Sequence, residues 1–143
     1  LLGNAEAIEF AEVVCGIAHV WDDLIDCDND LDDSAIHRAF WDALIRLPRL
    51  PFYARNFVSF QPLLETAIIN WQIANELEQS GTKPDLHIAF VLRSSYADLI
   101  LMAMRLVGGD EYARQAGVEM RRTWSSEGFD AYCAALENEM RRA

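Results

Sequence analysis

Lysine and arginine are missing from the first 37 residues, and the whole chain has one lysine, Lys83. The other bases are arginines, set against 23 acids in 143 residues, so the formal charge is −11. A surface this poor in bases cannot meet phosphate backbones or anionic lipid, which excludes nucleic acid and the membrane surface as expected partners. Long hydrophobic runs are missing too. The longest strictly apolar stretches, such as residues 99–104, have six residues, against the roughly 20 that a membrane span needs. No basic residue precedes Arg38, so no signal peptide is expected. The three cysteines, Cys15, Cys27 and Cys133, are an odd set without a CxxC pair. That excludes a zinc ribbon and fits a reducing compartment, so a cytoplasmic location is expected.

Proline and glycine are scarce, with four and seven residues, and period-two alternation is absent. Both point to helices. The pattern predicts a first helix from Ala5 to Asp26 and a second from Asp32 or Asp33 to Arg46. LPRLP (47–51) reads as a turn. A short helix over 52–59 follows, then a long one opened by Gln61-Pro62 and running to Gln79. Thr82 reads as the N-cap of a helix continuing to Val107, closed by Gly108-Gly109. Asp110 caps the next, and Ser125 or Ser126 the last. With 52% hydrophobic residues and no internal linker, the expectation is a single all-α domain over 1–143, a bundle of six to seven helices.

Ten of the acids lie before residue 38, while the remainder of the chain is nearly neutral. At about 100° per residue, Asp22, Asp23 and Asp26 share one polar arc of the first helix with His19. Val13, Ile17, Val20, Trp21, Leu24 and Ile25 lie opposite. Like charges four apart repel by a few tenths of a kcal/mol, and acids near a helix C-terminus oppose its dipole. No neighbouring base offsets either effect. A solvated acidic face is one reading; a divalent cation, held by carboxylate oxygens of the kind Mg²⁺ prefers, is the other.

The segment His19-Val-Trp-Asp-Asp-Leu-Ile-Asp26 resembles the aspartate-rich DDxxD motif of class I isoprenoid synthases, the all-α prenyltransferases and terpene cyclases. The resemblance implies Asp22, Asp23 and Asp26 as Mg²⁺ ligands and an isoprenoid diphosphate as the bound small molecule. It also implies a diphosphate-releasing prenyltransferase or terpene-synthase activity, in which the metal promotes ionisation. That family's second motif, N-x-x-x-S-x-x-x-E, is matched in spacing by Asn70, Ala74 and Glu78, with Ala in place of Ser. Asn70 and Glu78 are thus the implied second metal site. Arg93 and Asp98 interrupt an otherwise apolar helix. A buried charge needs a partner: either each lies at an edge of the helix, or Arg93 faces a cavity and is the diphosphate contact. Trp21, Trp41, Trp71 and Trp124 are candidates for an apolar pocket or for core. So small a bundle leaves an open side that a homodimer would cover.

Other readings are weaker. Asp26-Cys-Asp-Asn-Asp-Leu-Asp32 resembles an EF-hand start, but Leu31 stands where Gly is required and His37 where Glu is required. There is no GxSxG for a serine triad. Glu9-x-x-Glu12 with Asp23-x-x-Asp26 is similar to the metal motifs of all-α nucleoside triphosphate pyrophosphohydrolases, though both fall on one predicted helix. A non-catalytic interaction module keeping the synthase-like fold is the other alternative, supported by the degraded second motif.

Overall fold

A computed structural model describes residues 1–26, 31–124 and 128–142. Among these residues there is no strand, and the chain is an all-α bundle. Cys27, Asp28 and Asp30, and the capping positions Ser125 and Ser126, lie outside the described residues.

Helix α1 spans Ala5–Ile25, with the Asn4 side chain accepting from the Ala7 N–H at 3.0 Å. Asp32 caps α2 (Asp33–Trp41) in the same way, at 2.7 Å. Side-chain oxygens thus serve N–H groups that have no partner within the helix. A π-helical turn, Asp42–Arg46, leads into the single turn α3 (Leu47–Arg49). The LPRLP segment is therefore helical for longer than expected. The widened turn before Pro48 relieves the clash that a proline ring makes with the preceding turn. The chain breaks only at Leu50 (φ −62°, ψ 123°), the extended geometry that a following proline imposes. Helix α4 is Pro51–Arg55.

The long helix α5, Phe57–Ser80, starts before the expected Gln61-Pro62 and carries Pro62 inside it. The carbonyl that Pro62 cannot serve belongs to Val58, which is 85% exposed, so water can reach it. Gly81, at φ 65°, ends α5, and Thr82 caps α6 (Lys83–Leu92). The expected single helix to Val107 is instead broken at residues 93–96. The hydroxyls of Ser94 and Ser95 donate to the carbonyls of Val91 (3.0 Å) and Leu92 (2.7 Å), competing with the helical ladder. Helix α7 spans Ala97–Trp124, with a kink at Gly109 (φ 81°) where the sequence marks an end. Helix α8 is Gly128–Arg142.

Phe10, Phe52, Tyr53 and Phe60 form the aromatic centre of the core, with Phe10 and Phe60 ring centroids 4.3 Å apart. Leu99 and Ala103 of α7 close this cluster, while Ala97, Ile100 and Met104 of the same helix face a second one with Ala113 and Met120. The first half of α1 is therefore clamped in the core, and its last turn projects from a fixed base. No single helix among the described residues is long and apolar enough to cross a membrane. The bent pair α6–α7 reaches that length and composition when taken together, but Ala89, Ala97, Leu99 and Ile100 are buried inside the bundle.

Candidate functional site

Two helices end in acids. Asp22 and Asp26 belong to the last turn and cap of α1, and Glu78 to the last turn of α5. Each opposes its helix dipole. The base that offsets them is Arg93, at the cap of α6 and 71 residues along the chain from Asp22. Its Nη1 donates to Asp22 Oδ1 at 2.7 Å, its Nε to Glu78 Oε1 at 2.7 Å and its Nη2 to Glu78 Oε2 at 2.5 Å. Asp26 Oδ1 lies 3.6 Å from Nη2. The fork on Glu78 is the bidentate geometry at which arginine binds carboxylate most strongly. The guanidinium also lies 5.4 Å from the ring centre of Trp71, which packs on Trp21 at 4.4 Å. From α8, the Tyr132 hydroxyl donates to Glu78 Oε1.

Electrostatics follow from this packing. Burial pushes the Asp26 carboxyl up to about 6; Asp22, Glu139 and Glu78 add to the rise and Arg93 opposes it. Burial raises Asp22 as well, against the pull of Arg93. Burial and the bond to Glu78 both keep the Tyr132 hydroxyl protonated. Burial favours loss of the Arg93 proton, but the hydrogen bonds and charges of Glu78, Asp26 and Asp22 outweigh it and raise Arg93. Three carboxylates around one guanidinium leave the site negative, and Glu139 adds to that at the rim.

The charged Asp26 is therefore held at a cost. Its folded pKa lies above its ordinary value, so the native state binds the extra proton between about pH 4 and 6, and stability falls as pH rises through that window. Asp26→Asn is expected to raise stability by about 1 kcal/mol at pH 8, solvent screening of the partly exposed carboxylate weakening the full effect, and to change little below pH 4. Urea unfolding at the two pH values checks this; a variant less stable than the parent at pH 8 would contradict it.

A cleft of about 230 Å³ opens beside Arg93. Asp26, Asn75, Glu78, Gln79, Arg93 and Glu139 supply its polar lining, and Ile25, Leu136 and Met140 its apolar side.

The residues singled out in the sequence are only partly brought together. Asp22, Asp26, Glu78 and Arg93 meet. Asp23 is beside them and adds to the field on Asp22, but takes no bond from Arg93. Asn70 is two turns before Glu78, about 12 Å along the helix, and its amide donates to Ser95 Oγ at 3.2 Å. Asp98 pairs with Arg121 rather than with Arg93. Ala74 is wholly buried. Trp124 donates to the Tyr96 hydroxyl at 2.5 Å, and Trp41 is exposed. Tyr132 carried no sequence signal, because an aromatic on an amphipathic helix reads as core.

Asp22 and Asp26 are oxygen donors of the kind a hard cation takes, but each already turns Oδ1 to Arg93, at 2.7 Å and 3.6 Å. Glu78 does not suit one in this arrangement, since both its oxygens already accept hydrogen bonds. Among the described residues, no three His, Cys, Asp or Glu side chains form a group that could hold a metal ion. Comparison with known protein families, curated proteins and solved structures finds no match.

Proposed function

We propose that this chain binds an isoprenoid diphosphate as its Mg²⁺ complex, with Asp22 and Asp26 as protein ligands and Arg93 at the floor of the site. The observation that carries this reading is the meeting of α1 and α5 acids on one guanidinium beside a cleft that has an apolar side. Mg²⁺ commonly takes one or two carboxylates and completes its shell with water and substrate phosphates, so two aspartates suffice. The ion supplies the positive charge that a diphosphate needs in so acidic a place. Asp23 adds to the local negative potential. Arg93 supplies fixed positive charge, and Trp21 and Trp71 shield its buried side.

Binding is expected to exceed turnover. Ionisation of an allylic diphosphate leaves charge on the departing group, and a second metal on the facing helix would have to stabilise it. Here Glu78 is engaged by Arg93 and Tyr132, Asn70 by Ser95, and Ala74 offers no oxygen. The same engagement of Glu78 favours a second reading, an interaction module that keeps this fold without chemistry. Glu9 of the pyrophosphohydrolase-like pattern is paired with Arg46 at 2.9 Å, far from the cleft.

Millimolar Mg²⁺ with pyrophosphate is expected to raise the melting temperature, since a ligand at about a hundred times its Kd stabilises by roughly 2.7 kcal/mol. Asp22→Asn with Asp26→Asn should abolish the rise while leaving the metal-free protein as stable or more so. Calorimetry with geranyl and farnesyl diphosphates, with dUTP and dCTP as controls, separates the readings. Binding of the nucleotides alone would favour the pyrophosphohydrolase, and no binding at all the interaction module.

A further inference from the structure

Helix α2, the π turn and α3 form one rod. The backbone stays helical at both junctions, Asp42 (φ −62°, ψ −43°) and Leu47 (φ −54°, ψ −49°), so the rod runs unbroken from Asp33 to Arg49, about 25 Å. It packs on α1, yet its largest apolar side chains lie on the other side. The half-buried side carries Ala35, Ile36, Ala39 and Ala43. Phe40, Trp41 and Leu44, neighbours on one helix face, are 59%, 61% and 67% exposed. No residue of α2 is buried. A surface helix ordinarily turns its apolar stripe to the core; here the bulkiest part of that stripe lies outside. The π turn preserves it. The Leu47 N–H donates to the Asp42 carbonyl five residues back, and the extra residue in that turn brings Leu47 into the core while Pro48 and Arg49 remain exposed.

Charge selects the occupant. The chain carries −11, but residues 33–49 hold two acids against three arginines. A second copy can approach this rod without a net acidic face to repel it. Among the described residues Asp33 and Arg49 have no ion pair, whereas Arg46 is paired with Glu9. In an antiparallel pairing about a twofold axis between Phe40 and Trp41, those rings meet their own copies and Leu44 meets His37. Each Asp33 comes level with the other copy's Pro48 and Arg49, and no two like charges come level. The face is thus complementary to itself, as a twofold interface must be. At roughly 150–250 Å² for a whole aromatic side chain, the exposed parts of Phe40, Trp41 and Leu44 offer about 350 Å² per copy, below the ~800 Å² per partner of a stable complex. The contact belongs to the weak, reversible class.

We propose that two copies of this chain associate through their 33–49 rods, packed antiparallel, with Phe40 and Trp41 at the centre and Asp33–Arg49 ion pairs at both ends. None of these residues lines the cleft beside Arg93, so the inference does not rest on the diphosphate reading.

Sedimentation equilibrium of the full chain between about 1 and about 500 µM tests this, with an expected monomer–dimer midpoint of about 10–100 µM. Trp41→Glu should weaken association at least about thirtyfold, as loss of a central aromatic anchor does. Leu44→Glu, at the neighbouring exposed position, should act in the same direction, and far-ultraviolet circular dichroism checks that each variant is folded. Asp33→Arg and Arg49→Asp should each weaken association about three- to tenfold, and the two together should return it to within about twofold of the parent. A chain that stays monomeric over the whole range overturns the proposal and leaves the face to a different protein. A dimer untouched by Trp41→Glu and by Leu44→Glu overturns the assignment of the face. Single reversals that the double exchange does not rescue overturn the antiparallel pairing.

Discussion

Replacing Arg93 with methionine is expected to destabilise the protein by about 3–5 kcal/mol near neutral pH, the usual result of removing one partner of a buried ion pair. The reason is the set of groups left behind. Glu78 has 9% of its side chain exposed and loses both guanidinium contacts, keeping only the Tyr132 hydroxyl. Asp22 and Asp26 lose their ion pairs with Arg93. Methionine fills much of the same volume and packs on Trp71, so a cavity contributes little. The loss should shrink as pH falls, because burial raises Asp22 and Asp26 and lets them take up protons. Combining Arg93→Met with Glu78→Gln should recover part of it, because the buried charge is then gone; the non-additivity measures the pair directly. Urea unfolding of the three variants is the measurement. A loss under about 1 kcal/mol at every pH would mean that the acidic face does not depend on Arg93.

Phe10→Ala is expected to cost about 3–5 kcal/mol, as for other buried aromatic truncations. Phe10 is fully buried, with ring centroids of Phe60 at 4.3 Å, Phe52 at 5.7 Å and Tyr53 at 6.0 Å. The surrounding rings belong to α4 and α5, so they close the space only in part. Because α1 carries both this clamp and the carboxylates three turns later, the variant should also lose ordered exchange protection around Asp22. Hydrogen exchange along α1 reads this. Protection lost only in the last turn, with the first half of α1 unaffected, would show that the core does not anchor the site.

Helix positions were legible wherever a local signal acts on its own backbone. Asn4, Asp32 and Thr82 cap helices through their own side chains, and Gly81 stops α5 because it takes a left-handed conformation at no steric cost. Boundaries were misread where a local rule was overruled. Pro62 sits inside α5 because Phe60, wholly buried one turn after the Asn56 break, commits that segment to the core as part of the same helix. The interruption at 93–96 was missed because Ser94 and Ser95 are only weak helix breakers by composition; their bonds back to Val91 and Leu92 exist only in the folded chain.

The sequence by itself determined the all-α class, the amphipathic α1 with its acids on one arc, and the absence of any neighbouring base to neutralise them. Those are properties of spacing and charge within a few turns. It also singled out Arg93, because a charge on an apolar helix demands a partner, and Glu78, through its spacing in the N-x-x-x-S-x-x-x-E resemblance. Which partner was decided only by tertiary structure. Arg93 is remote in sequence from both Asp22 and Glu78, and no local rule couples them. The break after α6 turns the guanidinium toward the ends of α1 and α5, and α8 adds the Tyr132 hydroxyl to the same carboxylate. Tertiary packing likewise sent Asn70 to Ser95 and Asp98 to Arg121. A side chain's register on its own helix follows from the sequence, but its neighbour across the bundle depends on how whole helices pack, which minimises buried unpaired charge over all of them at once.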